Sequence, residues 1–514
     1  IGMDTTPWNR IASWNRRSTR FVHPPTFEWG WQEEIDHYRV RIADGDSVIV
    51  DQVITTPRWN LADAWDRLPF AKLELFIQAF NRAGEEVAPI LPPHPWKGFR
   101  KCRGYDGQRQ EPLDWQRAVH RNIAYLLEPA HDEVQPYEKG WPRSCWSAIE
   151  SSFSRRRRHL AFPALHHPSH IVAFLNYASQ FPASQHAPEA LAQARAYGEW
   201  LLTHRQPARY ACSLFPFSTI ENGEFEGHRE GSAITLFRAG RVGRAMLALY
   251  ETFEEDRYLD YALHLGRVFA RMQCEDGSWP YRVDPVTGET VQQYTSNAIT
   301  PALFLAELDA ASDTREFAAT VSRAVEWVLA NPVVTCRWEG QYEDIPNKQP
   351  FTGLQNFDVN QTIRYLAFYT TWNAEDEAVA RKLNTFIEDQ FVLWENEPEF
   401  VKCPTPTVLE QYGCYHPMEV HTGNWIFSLV ALHWRTGDSA FLDRAVAAGN
   451  SIVKGQYENG AFSTWGYDRR FGQPLITWDW PGCNAIASSA LLLLRQYLRA
   501  LDGDGEAPLP KWRI

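Results

Sequence analysis

The sequence predicts a mainly α protein: a closed ring of six helical hairpins, an (α/α)6 toroid, behind a small N-terminal antiparallel β-sandwich. Three observations carry this. Short β-rich runs fill roughly the first hundred residues, and helical periodicity takes over after about residue 110. The connections between the helical segments then alternate strictly between short and long.

The β-rich part comes first. Pro24-Pro25-Thr26-Phe27-Glu28-Trp29, His37 to Ile42, Ser47 to Val50 and Leu73 to Phe80 are alternating or β-branched stretches broken by Gly, Asp and Pro. The last ends in the turn Asn81-Arg82-Ala83-Gly84, and a proline-rich linker from Pro89 to Pro95 follows. This order resembles a fibronectin type III or immunoglobulin-like module. The expected division is 1–105 for the β unit with its linker, 106–503 for the helical body and 504–514 for a tail.

Twelve helices are expected near 113–128, 168–181, 187–206, 234–254, 257–273, 296–311, 314–330, 358–373, 376–392, 420–436, 439–457 and 483–500. Five connections are short, at 182–186, 255–256, 312–313, 374–375 and 437–438. Six are long, at 129–167, 207–233, 274–295, 331–357, 393–419 and 458–482. Helices joined by such short turns are antiparallel neighbours. All short turns therefore fall at one end of the body and all long connections at the other. Long loops inside a compact domain carry function.

Composition excludes several classes. The chain has 514 residues, net charge −12, 44% hydrophobic and 22% charged residues, with pI near 5.8 and mean hydropathy −0.42. That balance argues against nucleic acid and anionic membranes as partners. No apolar run approaches the length of a membrane span. No secretory leader is visible at Ile1-Gly2-Met3-Asp4, which leaves a cytoplasmic or periplasmic location as the expectation. Eight scattered cysteines form no CxxC pair, and neither a metal site nor any other cofactor is expected.

Twenty-two tryptophans are the compositional oddity. Eight lie in the long connections (141, 146, 279, 338, 394, 465, 478 and 480) and none in the short ones, which points to an aromatic-lined carbohydrate cleft. The second connection carries Arg229. The third holds Gln273-Cys274-Glu275-Asp276-Gly277-Ser278-Trp279, then Tyr281 and Arg282. The sixth repeats that motif as Gln456-Tyr457-Glu458-Asn459-Gly460-Ala461-Phe462. A glycine just past a helix end is the usual left-handed cap.

The fourth connection is dense in charge and aromatics: Trp338, Glu339, Glu343 and Asp344, with Asn356 at its end. The fifth offers Glu410, Tyr412, Tyr415, His416 and Glu419. The sixth adds Trp465, Arg469 and Arg470, and closes on Trp478-Asp479-Trp480. Catalysis is expected from Glu339, Glu343, Asp344, Glu410, Glu419, Tyr412 and His416. Substrate contacts are expected from the remaining aromatic, arginine, Asn356 and Asp479 positions, with Glu339, Glu343 or Asp344 facing Glu410, Glu419 or the Tyr412/His416 pair across the mouth.

In fold and loop character, residues 110 to 503 resemble the six-hairpin glycosidase superfamily. The repeated Gln-to-aromatic motif is similar to the loop signature of many such toroids, including terpenoid cyclases, but the aspartate-rich motif a cyclase needs is absent. The fourth connection resembles the loop-to-helix region of glucuronyl C5-epimerases over about 20 residues. The superfamily resemblance implies hydrolysis, elimination or epimerisation of sugars. Hydrolysis needs two carboxyls flanking the bond. Elimination or epimerisation needs a Tyr or His acid/base pair with a cation. The leading expectation is a glycoside hydrolase acting on a uronate-containing oligo- or polysaccharide. A lyase or uronate epimerase comes second and a non-catalytic glycan binder third. Oligomeric state is not readable.

Overall fold

The computed structural model describes residues 18–29, 33–87, 96–128, 147–149, 158–221, 224–225, 233–293, 298–339, 351, 353–398, 400, 403–412, 414–465, 477–478 and 480–503.

The N-terminal strands are β1 (Arg20–Phe21), β2 (Thr26–Glu28), β3 (His37–Asp44), β4 (Ser47–Ile54), β5 (Arg58–Asn60), β6 (Lys72–Phe80), β7 (Glu86–Val87) and β8 (Lys97–Lys101). The main sheet runs β1-β8-β6-β3-β4, with β7 on β6, and β2 pairs with β5 apart from it. β1 joins β8 in parallel, and the other pairs are antiparallel. Register opposes Val40 to Ile77 and Ile42 to Leu75. Alternation then turns all four to one face, where they bury with Phe21, Phe27, Trp29, Trp59 and Trp96. These tryptophans are core packing.

Twelve longer helices follow: α1 (Trp115–Leu127), α2 (Pro163–Gln180), α3 (Ala187–Thr203), α4 (Arg238–Phe253), α5 (Asp256–Met272), α6 (Ile299–Ser312), α7 (Ala318–Ala330), α8 (Phe357–Tyr369), α9 (Ala374–Gln390), α10 (Glu419–Thr436), α11 (Ser439–Lys454) and α12 (Pro481–Leu501). The inner ring is α2, α4, α6, α8, α10 and α12. Each packs on the next, and α12 packs back on α2. The odd-numbered helices lie outside. One apolar core runs from Trp115 to Tyr497. Inner helices are apolar almost all round because both neighbours and the outer layer cover them. Each inner helix begins at a long connection, so six inner N-termini face the mouth.

Several boundaries differ from expectation; α4 and α7, for instance, each start four residues late. α2 starts at Pro163, five residues early, with Pro168 inside it. α8 stops at Tyr369, so the connection 370–373 contains Trp372. The tryptophan asymmetry between long and short connections is thereby weaker than the sequence implied.

The repeated motif is a joint. Gln273 Nε2 donates to the Gly277 carbonyl and to Thr320 O on α7. Gln456 Nε2 donates to the Gly460 carbonyl and to Ala118 O on α1. Both glycines are left-handed, and a Cβ would lie 2.3 Å from Arg323 O at Gly277 and 2.4 Å from Arg121 O at Gly460. Each connection thus leans on the next outer helix round the ring, and only glycine allows the approach.

The β unit docks on the end of α9. Backbone N–H groups of Val22 and His23 both reach Asp389 Oδ1 at 2.8 Å. His23 Nε2 meets Glu388 Oε2 at 2.8 Å. Gln390 Nε2 donates to Arg20 O, and Arg20 pairs with Glu397.

Candidate active site at the mouth of the ring

The fourth and fifth connections meet. A bridge joins Gln355 to Gln411, and Tyr412 N donates to Leu354 O at 2.8 Å. Asn356 Nδ2 donates to Leu409 O at 2.8 Å and Glu410 O at 3.1 Å. The hairpin of Thr407–Gln411 and Cys414–Met418 then delivers the chain to α10 at Glu419. Glu410 lies on the first strand of this hairpin, and Glu419 follows the end of the second.

Glu419 is buried at 4% exposure. Thr464 Oγ1 lies 2.7 Å from both of its carboxylate oxygens, and Asn484 Nδ2 donates to Oε1 at 3.1 Å. Asn484 is held in turn. Its Oδ1 accepts from Asn122 Nδ2 at 2.7 Å, and Asn122 Oδ1 accepts from Ser488 Oγ at 2.8 Å. The chain of amides through α12 and α1 fixes the carboxylate in one orientation. A carboxylate in the first turn of a helix is also favoured by the N-terminal dipole.

Two residues along α10, His421 Nδ1 meets Asn356 Oδ1 at 3.1 Å. Burial, helped by the Arg241 guanidinium, pushes this imidazole down to about 3, so it is neutral at ordinary pH. Arg241 sits 4.1 Å over the Phe357 ring. Burial pushes the Cys483 thiol well up. The Glu419 and Glu410 carboxylates push it further and Arg241 opposes them, so these groups share one neighbourhood. Beneath them Asp358 accepts from Gln355 Nε2 at 2.7 Å. Deeper still, Arg244 forks onto Glu307 at 2.7 and 2.8 Å. Asn424 is buried at 2%, and its amide atoms have no hydrogen-bond partner among the described residues. It lines a small cavity on the ring axis with Arg241, Arg244 and Phe357.

Several expected residues stand elsewhere. Trp279 and Trp338 are fully buried, and Trp279 Nε1 donates to Phe269 O at 2.9 Å. Both rings are core, which corrects their assignment to the cleft. Tyr281 is buried against Phe237 at 6.1 Å. Arg282 is buried and donates to Ala233 O at 3.1 Å, tying the third connection to the second. Glu339 is fully buried. It accepts from Phe351 N at 2.7 Å and from Arg337 Nε at 3.4 Å, and so braces its own loop. Tyr412 points its hydroxyl at Gln390, towards the β unit, and packs on Phe391. That removes it from the mouth.

Asn356 stands at the centre of the contact between loops. Glu410, His416 and Trp480 are partly exposed, Trp480 as the N-cap of α12. Arg229, Glu343, Asp344, Arg469, Arg470 and Asp479 lie outside the described residues, as do the side chains of Tyr415, Trp465 and Trp478. His421, Asn424, Arg241 and Asn484 were not among the expected site residues. Their signal was present, since each is a polar group in the first turns of an otherwise apolar inner helix.

No family model matches the chain, and no curated protein sequence does. Solved structures do. D-mannose isomerase aligns with a TM-score of 0.53 at 9% identity, over 74% of this chain and 99% of its own. Cellobiose 2-epimerase from Bacillus thermoamylovorans B4167 gives 0.51 at 9%, over 74% and 98%. A family 76 glycoside hydrolase from a bovine Bacteroides thetaiotaomicron strain gives 0.50 at 11%, over 93% and 99%. The fold is the six-hairpin (α/α)6 toroid. At these identities the likeness is one of fold, and the site's chemistry rests on its own residues. Among the described residues of this toroid, no helix is long and apolar enough to cross a membrane.

Proposed function

We propose that this six-hairpin toroid is a carbohydrate-active enzyme, a glycoside hydrolase working on an acidic, uronate-containing oligo- or polysaccharide. The observation that carries the reading is Glu419: a buried carboxylate, oriented by Thr464 and Asn484, in one neighbourhood with Glu410 and Arg241 at the mouth. Glu419, held by hydrogen-bond donors, is the ionised partner. Glu410, partly exposed on the strand Thr407–Gln411, is the proton donor to the leaving oxygen. Arg241 and the inner-helix N-termini favour a substrate carboxylate. The hydrolase and epimerase neighbours support a carbohydrate as the substrate.

A second reading has its own support. The neutral His421 beside Arg241, held by Asn356, is suited to moving a proton next to a sugar carbonyl or carboxylate, as epimerisation requires. One experiment separates the two. Uronate-containing oligosaccharides are incubated in deuterium oxide and followed by NMR. New reducing ends without ring deuteration support the hydrolase. Ring deuteration without chain cleavage assigns the epimerase, and an unsaturated product assigns a lyase. No change with any substrate defeats the enzymatic reading. With this function go the division at 1–105, 106–503 and 504–514 and an immunoglobulin- or fibronectin-like kinship for the β unit, supported by its separate apolar core.

A further inference from the structure

Away from the mouth, a cavity of about 530 Å³ opens along the seam between the β unit and the toroid. That volume lies within the range of small-molecule sites. One wall is the outer face of the main sheet, carrying Lys72, Glu74 and Arg100. The other is the segment of the fifth connection that holds Glu397 and Phe400. The floor is Gly98. It sits in mid-strand, pairs with Glu74, and a Cβ built on it meets nothing within 4 Å. Interior strand glycines are unfavourable for the sheet alone and mark places where another group approaches closely.

The charge of the seam departs from that of the molecule. Arg20, Lys72 and Arg100 face two carboxylates, Glu74 and Glu397, in a chain of net charge −12. Arg20 is 5% exposed. Its Nη2 serves Glu397 at 2.5 Å and its guanidinium lies 5.6 Å from the Phe400 ring centroid. Its Nε and Nη1 have no hydrogen-bond partner among the described residues. Glu397 is already shared, with Arg100 Nε 3.7 Å from its other oxygen. Both nitrogens are closed to solvent, so the cationic groups the cavity offers a ligand are chiefly Lys72 and Arg100.

We propose that this seam is a second, non-catalytic binding site for a sugar carboxylate. The carboxylate sits against Lys72 and Arg100, and the ring lies over Gly98 beside Phe400. The sugar half of the assignment rests on the proposed function of the mouth. The carboxylate half rests on the seam alone.

The test is calorimetric titration of D-glucuronate into the full chain, with glucose and acetate as comparators. Gly98→Leu puts a side chain on the cavity floor, where a Cβ meets nothing within 4 Å, and Lys72→Ala removes a cation from the wall. The expected result is that Gly98→Leu loses one glucuronate site, Lys72→Ala weakens it by about tenfold, and both keep the parent's melting temperature and its turnover. Glucuronate uptake unaffected by Gly98→Leu overturns the proposal. So does acetate binding as tight as glucuronate, which marks a site for any small carboxylate. If the mouth is inactive on every saccharide yet Gly98→Leu still abolishes a glucuronate site, the function fails and the seam stands.

Discussion

At the scale of single residues, two buried glutamates in adjacent connections have opposite characters. Glu339 accepts from Phe351 N and Arg337 within its own loop. Glu419 is held by side chains from α12 and from the strand at Thr464, and it lines a small cavity with Thr422, Ser451 and Ser463. Glu419→Gln is therefore expected to fold normally and lose turnover by roughly 10²–10⁴, read as kcat on whichever saccharide the deuterium experiment identifies. Glu339→Gln should instead lower the unfolding free energy by about 1–3 kcal/mol, with kcat per folded molecule retained. A Glu419→Gln variant at parental turnover would remove this carboxylate from the chemistry. The sequence revealed that acids crowd the fourth and fifth connections, and Glu419 stood among those chosen. It did not reveal which acids face inward, because that depends on the pairing of Gln355 with Gln411 and on the hairpin ending at Met418. Trp279 and Trp338 misled for the same reason. A ring in a long loop is available to ligand only if the loop does not fold back on the core, and both loops do.

At the scale of elements, the alternation of connection lengths was the most legible feature, because hairpin geometry follows from it whatever the helix boundaries are. The departures at helix ends were local. α2 extends back through Pro163, where a first-turn proline needs no hydrogen-bonded N–H, and α8 ends early at Tyr369, capped by an extended Thr370. The paired joints at Gly277 and Gly460 were read from sequence as helix caps. They are caps that also touch the following outer helix, a contact no local pattern encodes. Substitution there separates the two roles. Gly45 is left-handed with open space around its Cβ position, so Gly45→Ala should cost only about 1 kcal/mol. Gly277→Ala and Gly460→Ala force a methyl against backbone oxygen and should cost about 3 kcal/mol or more. Chemical denaturation of the three variants measures this. Equal losses would mean the joints are ordinary caps.

At the scale of the whole molecule, the buried titratable groups predict how stability follows pH, and they divide by location. In the ring, burial pushes His166 to about 3, His170 to about 4 and His421 to about 3, all below the ordinary 6.5. The unfolded chain binds these protons first, so stability falls as pH drops below 6.5. At pH 5 each costs about 2 kcal/mol. At the seam the sign reverses. Burial raises Asp389 from 3.8 to about 7, and contacts with Glu388 and Asp389 outweigh burial to raise His23. There the folded state holds the proton more tightly, and acidification from pH 7 to 5 stabilises the docked β unit, by about 2–3 kcal/mol for Asp389. The three ring histidines outweigh this, so the parent should melt at a lower temperature at pH 5 than at pH 7. Asp389→Asn keeps an oxygen for the N–H groups of Val22 and His23 but deletes the opposing term. It should therefore melt higher than the parent at pH 8, where the parent holds a buried charge, and lose more stability than the parent on going to pH 5. Scanning calorimetry of both proteins from pH 5 to 8 decides it. Parallel curves would mean that Asp389 does not titrate in this range and that the seam is indifferent to pH.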